Sequence, residues 1–261
     1  VCIFRKISTK RKEDYYIVPM NTPIHDILLE NYFINWNKLD YDARGIHQKH
    51  EQNAEYMIQQ TIAYIRPLNG IEKEHYDQLL AKCNGIIEES YYYNLAHVKA
   101  DIWISNDNFE ASLPHTHGTT IILPQKYISY SSDAQIKTLI HEKVHIFQRL
   151  FPIVCQKLYL NYWKLKISGI HNKGYFSFIS TKARSNPDNN NLIYSESGKH
   201  IIAKYLTDKS SLSEIDDKRD HPNEMMAYIW TALILNEPVP IYLESYVGEF
   251  NKWLKVNAHN L

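Results

Sequence analysis

The chain has 261 residues, 44% hydrophobic and 22% charged, the balance of an ordinary globular protein able to bury a core. Its 29 basic and 29 acidic residues cancel, which argues against a nucleic-acid partner and gives no attraction to an anionic membrane. Cys2, Cys83 and Cys155 form neither a disulfide framework nor a Cys-x-x-Cys metal site, which fits a reducing, cytoplasmic compartment.

No secretory pattern opens the sequence, and no apolar run is long enough to span a bilayer. A soluble protein is expected. Residues 1–20 are basic and then mixed, with a short strand around residues 15–18. Thr22-Pro23 reads as a helix start, and residues 24–45 carry no regular period. Ala54, Met57, Ile58, Ile62 and Ile65 recur at helical spacing, so residues 50–65 read as a helix that Pro67, Asn69 and Gly70 end. A second helix over residues 71–89 gathers Leu79, Leu80, Cys83, Ile86 and Ile87. Residues 1–95 thus read as a mostly helical region packing on the remainder.

From Val98 the period changes to that of strands, over residues 98–104 and again over 119–123. Pro114 and Pro124 fence the second strand, and proline belongs at sheet margins, so this strand is expected at an edge. Ser131-Ser132-Asp133 caps a helix reaching Leu150, and Pro152 opens another to about Ile167. A break at residues 185–191 precedes possible strands at 192–194 and 200–205. Residues 208–220 read as solvated loop, and Pro222 opens the last substantial helix, to about Leu235.

The sharpest local signal is His141-Glu142-Lys143-Val144-His145. Residues four apart share one face of a helix, so two neutral imidazoles can reach one metal ion, with Glu142 beside them to take a proton from an acidified water. Ile136, Ile140, Val144 and Phe147 form an apolar stripe, and at 100° per residue the histidines lie roughly 120° from its centre. A catalytic zinc needs a third protein ligand. Glu224, in the first turn of the helix opened by Pro222, is the best candidate, with Asp220 and His221 nearby. His115 and His117 alternate along an extended stretch and so share one face. His47, His50 and Glu51 read as a solvated helix start.

These residues resemble the gluzincin group of zincin metallopeptidases, the thermolysin-like families. There the third ligand is a glutamate on a later helix, typically preceded by asparagine, as in Asn223-Glu224. The likeness spans roughly residues 98–235; more loosely, the chain is similar to metallopeptidase-like proteins of large DNA viruses. It implies an α+β, zincin-like domain over residues 96–261, with a small mixed sheet, an active-site helix and a helical C-terminal part. It further implies Zn2+ held by His141, His145 and Glu224, Glu142 as general base, and a peptide or protein substrate lying along residues 113–123. His115, His117 and Gly118 would then be substrate-binding. Two departures stand out. The segment between His145 and Glu224 is long, so an insertion separates the ligand helices. The family often has an aspartate four residues after the ligand glutamate, orienting the first histidine; here Tyr228 holds that place. Tyr194, Tyr205, Tyr228 and His221 are open as donors to a developing oxyanion, with Tyr228 taken as the catalytic one. A zinc-binding pseudoenzyme serving as an interaction module and a metallohydrolase of a non-peptide bond are the alternatives.

Overall fold

The computed structural model describes residues 2–8, 13–19, 26, 32–45, 61, 63–90, 92–107, 109–170, 179–212, 214 and 220–257. Strands β1 (Cys2–Ser8) and β2 (Glu13–Pro19) pair antiparallel, so the expected strand near Tyr15 is half of a hairpin. Helix α1 (Lys38–Ala43) is closed by a capping box: the Asn37 side chain accepts from Asp40 N and the Asp40 side chain accepts from Asn37 N. Most of the helix expected over residues 50–65 lies outside the described residues, as do Thr22-Pro23, His47, His50 and Glu51. Ile65 itself belongs to a strand, β3 (Ile65–Pro67).

Helix α2 (Gly70–Glu89) matches its expected span, fixed by a second capping box between Asn69 and Glu72. After the short α3 (Tyr93–Ala96) come β4 (Asp101–Ser105), β5 (His115–His117) and β6 (Thr120–Pro124). The sheet order is β3-β4-β6-β5, with β4 and β6 parallel and both outer pairs antiparallel. The expected edge strand is therefore an inner one. β6 has neighbours on both sides, and the edge next to it is the three-residue β5, too short to register as a strand in the sequence. Pro124 is tolerated because it is the last residue of β6.

Helix α4 (Ser132–Leu150) begins where Ser131 Oγ accepts from Ala134 N. Its apolar stripe, Ile136, Ile140, Val144 and Phe147, is at most 2% exposed. At about 1.5–3 kcal/mol per large aliphatic or aromatic side chain, this stripe is a main anchor of the helix. The other faces are covered as well: His145 and Lys143 are buried, making α4 a central helix. α2, from the region expected to pack on the remainder, contributes Tyr76, Leu79, Cys83 and Ile87 to the same core cluster as α4.

Helix α5 (Pro152–Lys157) continues through a π-helical turn, Leu158–Tyr162, and stops short of the expected Ile167. Lys164 takes a positive φ of 59°, which turns the chain into β7 (Lys166–Ile170). β7, β8 (Leu192–Glu196) and β9 (Lys199–Ile201) form an antiparallel meander. Ser197 and Gly198, both at positive φ, make the tight β8–β9 turn. This meander, with the loop before β8, occupies the long segment between the expected ligand helices. Beyond Ile201 the expected strand gives way to a single bridge between Lys204 and Ala183.

Helix α6 (Pro222–Ile234) starts and ends as expected and packs against α4. A further helix, α7 (Glu244–Asn257), lies beyond the last one expected and buries Tyr246, Phe250, Trp253 and Leu254. The result is a mixed α+β fold. No helix of the described residues is long and apolar enough to cross a membrane.

Candidate metal centre

One turn of α4 separates His141 from His145, and their Nε2 atoms lie 3.1 Å apart. Oε2 of Glu224, from α6, lies 3.2 Å from His141 Nε2 and 3.6 Å from His145 Nε2. Ligands bound to zinc at about 2.0–2.1 Å on a tetrahedron stand about 3.3 Å from one another, so these three atoms have the spacing of a shared zinc ion. Facing lone pairs also repel unless a proton or a cation lies between them. Two imidazoles and one carboxylate leave one position open on a four-coordinate ion, the pattern of a catalytic site.

The start of α6 selects Glu224 among its neighbours. His221 is the N-cap residue: its Nδ1 accepts from Asn223 N at 3.1 Å, and its Nε2–H donates to Leu192 O at 3.1 Å. Both ring nitrogens are spent, so His221 is neither a ligand nor an oxyanion donor. Burial pushes its pKa down to about 4, consistent with a neutral ring. Asp220 Oδ1 accepts from His221 N at 2.6 Å, and burial, followed by the charge of Glu224, pushes its carboxyl up to about 6. Pro222 in the first turn then points Glu224 at α4.

The candidate ligands are held by further polar residues. Gln148 Nε2 donates to Asn223 O at 2.8 Å, so the Gln148 oxygen is the atom facing His145 Nδ1, at 2.9 Å. Nδ1 therefore carries a hydrogen, which leaves Nε2 as the nitrogen that faces Glu224 and would meet a cation. Asn186 Nδ2 donates to Glu224 Oε1 at 2.7 Å, which leaves Oε2 for the histidines. Asn223 ties the two supports together, donating to Asp188 O at 2.9 Å and accepting from Tyr159 Oη at 3.0 Å. Residues 185–191, a mere break in the sequence pattern, are thus the strap that braces Glu224. Gln148 had a signal: three residues beyond His145, it shares that helix face.

Glu142 is 4% exposed, and one of its buried oxygens has no hydrogen-bond partner. Burial first, and then the charge of Asp188, hold its pKa well above the carboxylate range. Burial would also raise Glu224, but His145 and His141 outweigh it and hold that carboxyl well below its usual range. For His145 burial works downward, and the charges of Glu224 and Asp188 win, pushing it up to about 10. The field that holds a proton there is the field a divalent cation would use.

A cleft of about 520 Å³ opens over His141, Glu142 and Glu224 and is also lined by His115, Arg184 and Tyr228. Tyr228 is 44% exposed, and its ring packs across His141 at a centroid distance of 4.8 Å. It supports the His141 ring by packing, where the family pattern has a carboxylate. The charge of Glu224 and then burial raise its phenol, which stays protonated as a donor. Tyr194 and Tyr205 are buried away from this wall, accepting from Asn190 and donating to Asp40 respectively.

His115 and His117 share one face as expected, with ring centroids 5.4 Å apart, but both are buried. Only His115 of the three expected substrate-binding residues lines the cleft. Gly118, at a φ of 56°, is a turn residue whose missing side chain leaves room for Asp26. The outer main-chain groups of β5 are already in use: Thr116 N donates to Asp188 Oδ1 at 2.9 Å, and Arg149 Nη2 donates to Thr116 O at 2.9 Å. The residues leading into β5 are strained. Glu110, Ala111 and Ser112 all take positive φ, at a cost on the order of 1–3 kcal/mol each. Arg44 Nε at 2.9 Å and Tyr32 Oη at 3.2 Å hold the Glu110 carboxylate in place.

No protein-family model, curated protein or solved structure matches this chain.

Proposed function

We propose that this chain is a zinc-dependent peptidase of zincin-like, gluzincin type. The observation that carries the reading is the convergence of His141, His145 and Glu224, whose ligating atoms all lie within 4.8 Å of one another, with Glu142 adjacent. These three residues would hold the zinc; when bound, it supplies a Lewis acid that acidifies water and polarises a carbonyl. Glu142, buried beside the three and lining the cleft, takes the proton of the attacking water and passes it to the leaving amine. Tyr228, a protonated phenol on the cleft wall, donates to the oxygen on which negative charge develops. Gln148 and Asn186 keep His145 and Glu224 in their ligating orientations.

Glu142→Gln keeps the shape of the side chain and both imidazoles while removing the base. Zinc content by elemental analysis stays at one per chain, and hydrolysis of a peptide substrate falls roughly 10²–10⁴-fold. Turnover equal to that of the parent chain, with zinc retained, would remove Glu142 from the chemistry and the peptidase mechanism with it.

A further inference from the structure

The charged side chains around the metal centre are almost all spoken for. Arg149 meets Asp188 at 3.5 Å, Arg44 meets Glu110 at 2.9 Å, and Lys137, on the cleft wall, meets Glu237. Arg184 is the exception on that wall. It is partly buried, its Nε is sealed from solvent without a hydrogen-bond partner, and it forms no ion pair among the described residues. Its position is set from the backbone: Arg184 N donates to Ala203 O at 2.9 Å, and the neighbouring Ala183 O accepts from Asn37 Nδ2 at 2.7 Å. Asp220, on the same wall, feels the charge of Arg184 without forming an ion pair with it, and the best partner for a guanidinium is a planar two-oxygen acid.

Two further observations narrow what that partner is. An extended peptide commonly gains affinity by adding a strand to a free sheet edge. Here Asp188 and Arg149 already take both outer main-chain groups of Thr116, so recognition falls to side groups inside the cleft. At about 520 Å³, the cleft has the size of a small-ligand site.

We propose that Arg184 binds a carboxylate of the substrate, so that the cleft selects short peptides bearing an acid close to the bond that is cut. This rests on reading the cleft as the zinc peptidase site. The acid is either the free C-terminus or an Asp or Glu side chain; both present the same two oxygens.

The test uses the full chain carrying Glu142→Gln, loaded with zinc, which binds peptides without turning them over. Three pools of acetylated tripeptides are titrated against it: neutral side chains with a free C-terminus, the same peptides amidated, and amidated peptides with one Asp or Glu. At least one acid-bearing pool binds about 10- to 100-fold more tightly than the neutral amidated pool, and which one identifies the source of the acid. Adding Arg184→Ala erases the difference. Adding Arg184→Lys keeps part of it, since the charge remains and the fork is lost. Equal binding of all three pools, binding of none, or an acid preference that survives Arg184→Ala overturns the proposal. Zinc content is measured on each protein. Full zinc with no acid preference defeats the carboxylate site alone, whereas a folded parent chain that takes up no zinc defeats the peptidase reading beneath it.

Discussion

His141 and His145 stand one turn apart on α4, and their rings meet at 4.8 Å; His115 and His117 stand two residues apart on β5 and meet at 5.4 Å. Both pairs are close and both pack edge to face. Among the described residues, it is the first that meets a third group able to share a metal ion. Glu224 brings an oxygen to within 3.6 Å of both helical imidazoles, whereas His115 spends its Nδ1–H on Leu113 O at 2.9 Å. The strand pair is also buried, and burial, first among its causes, lowers the proton affinity of His115, whereas at His145 the charges of Glu224 and Asp188 outweigh it. Proximity of two histidines is therefore cheap. What would make a centre is a carboxylate that offsets their burial and shares the space between their nitrogens with a cation.

The most drastic way to break this contrast is to delete one ring from each pair. His145→Ala removes stoichiometric zinc uptake, measured by elemental analysis after dialysis against micromolar zinc. His115→Ala keeps one zinc per chain although it opens a cavity in the core. Equal loss in both variants would erase the distinction between the pairs.

A finer cut spares the ligands. Gln148→Leu preserves bulk but can neither accept from His145 nor donate to Asn223, and zinc affinity by chelator competition falls about 10- to 100-fold. An unchanged affinity would mean that packing alone orients His145.

The mildest test concerns the histidine that caps α6. With a folded pKa of about 4 against about 6.5 in the unfolded chain, His221 takes up protons more readily when unfolded. The stability it contributes is full above about pH 6.5 and declines as the pH falls toward 4, by up to about 3 kcal/mol. His221→Asn keeps a capping acceptor and does not titrate. Urea unfolding in chelator should then show a shallower loss between pH 6.5 and 4.5 than the parent chain; parallel curves would place the acid sensitivity elsewhere.

The parts of the centre that were legible in the sequence are those written within one or two helical turns. The Ser131 cap, the apolar stripe of α4, the pairing of His141 with His145 and the Pro222 start of α6 are all local. What escaped depends on distant partners. Nothing near Asn186 or Asp188 announces that one braces a glutamate on α6 and the other ties off β5. Strand order failed for a related reason: β6 is flanked by β5, whose three residues are too few for a period to show. α7 is different, since Tyr246, Phe250, Trp253 and Leu254 fall at helical spacing and so are legible locally.

Lys143, the middle residue of the motif, acts as a key in a slot. A helix gripped only by Ile, Val, Leu and Phe is held by contacts with little directional preference, and it can roll. Lys143 is two residues from each histidine, on the opposite side of α4, and its ammonium is buried against Asn84 Oδ1 at 2.6 Å and Ala96 O at 2.8 Å. Rolling α4 by one residue, about 100°, would tear that ammonium from both oxygens and strand it in an apolar wall, at a cost of several kcal/mol. The azimuth of the two imidazoles is thus indexed from behind, by a cation that never enters the cleft.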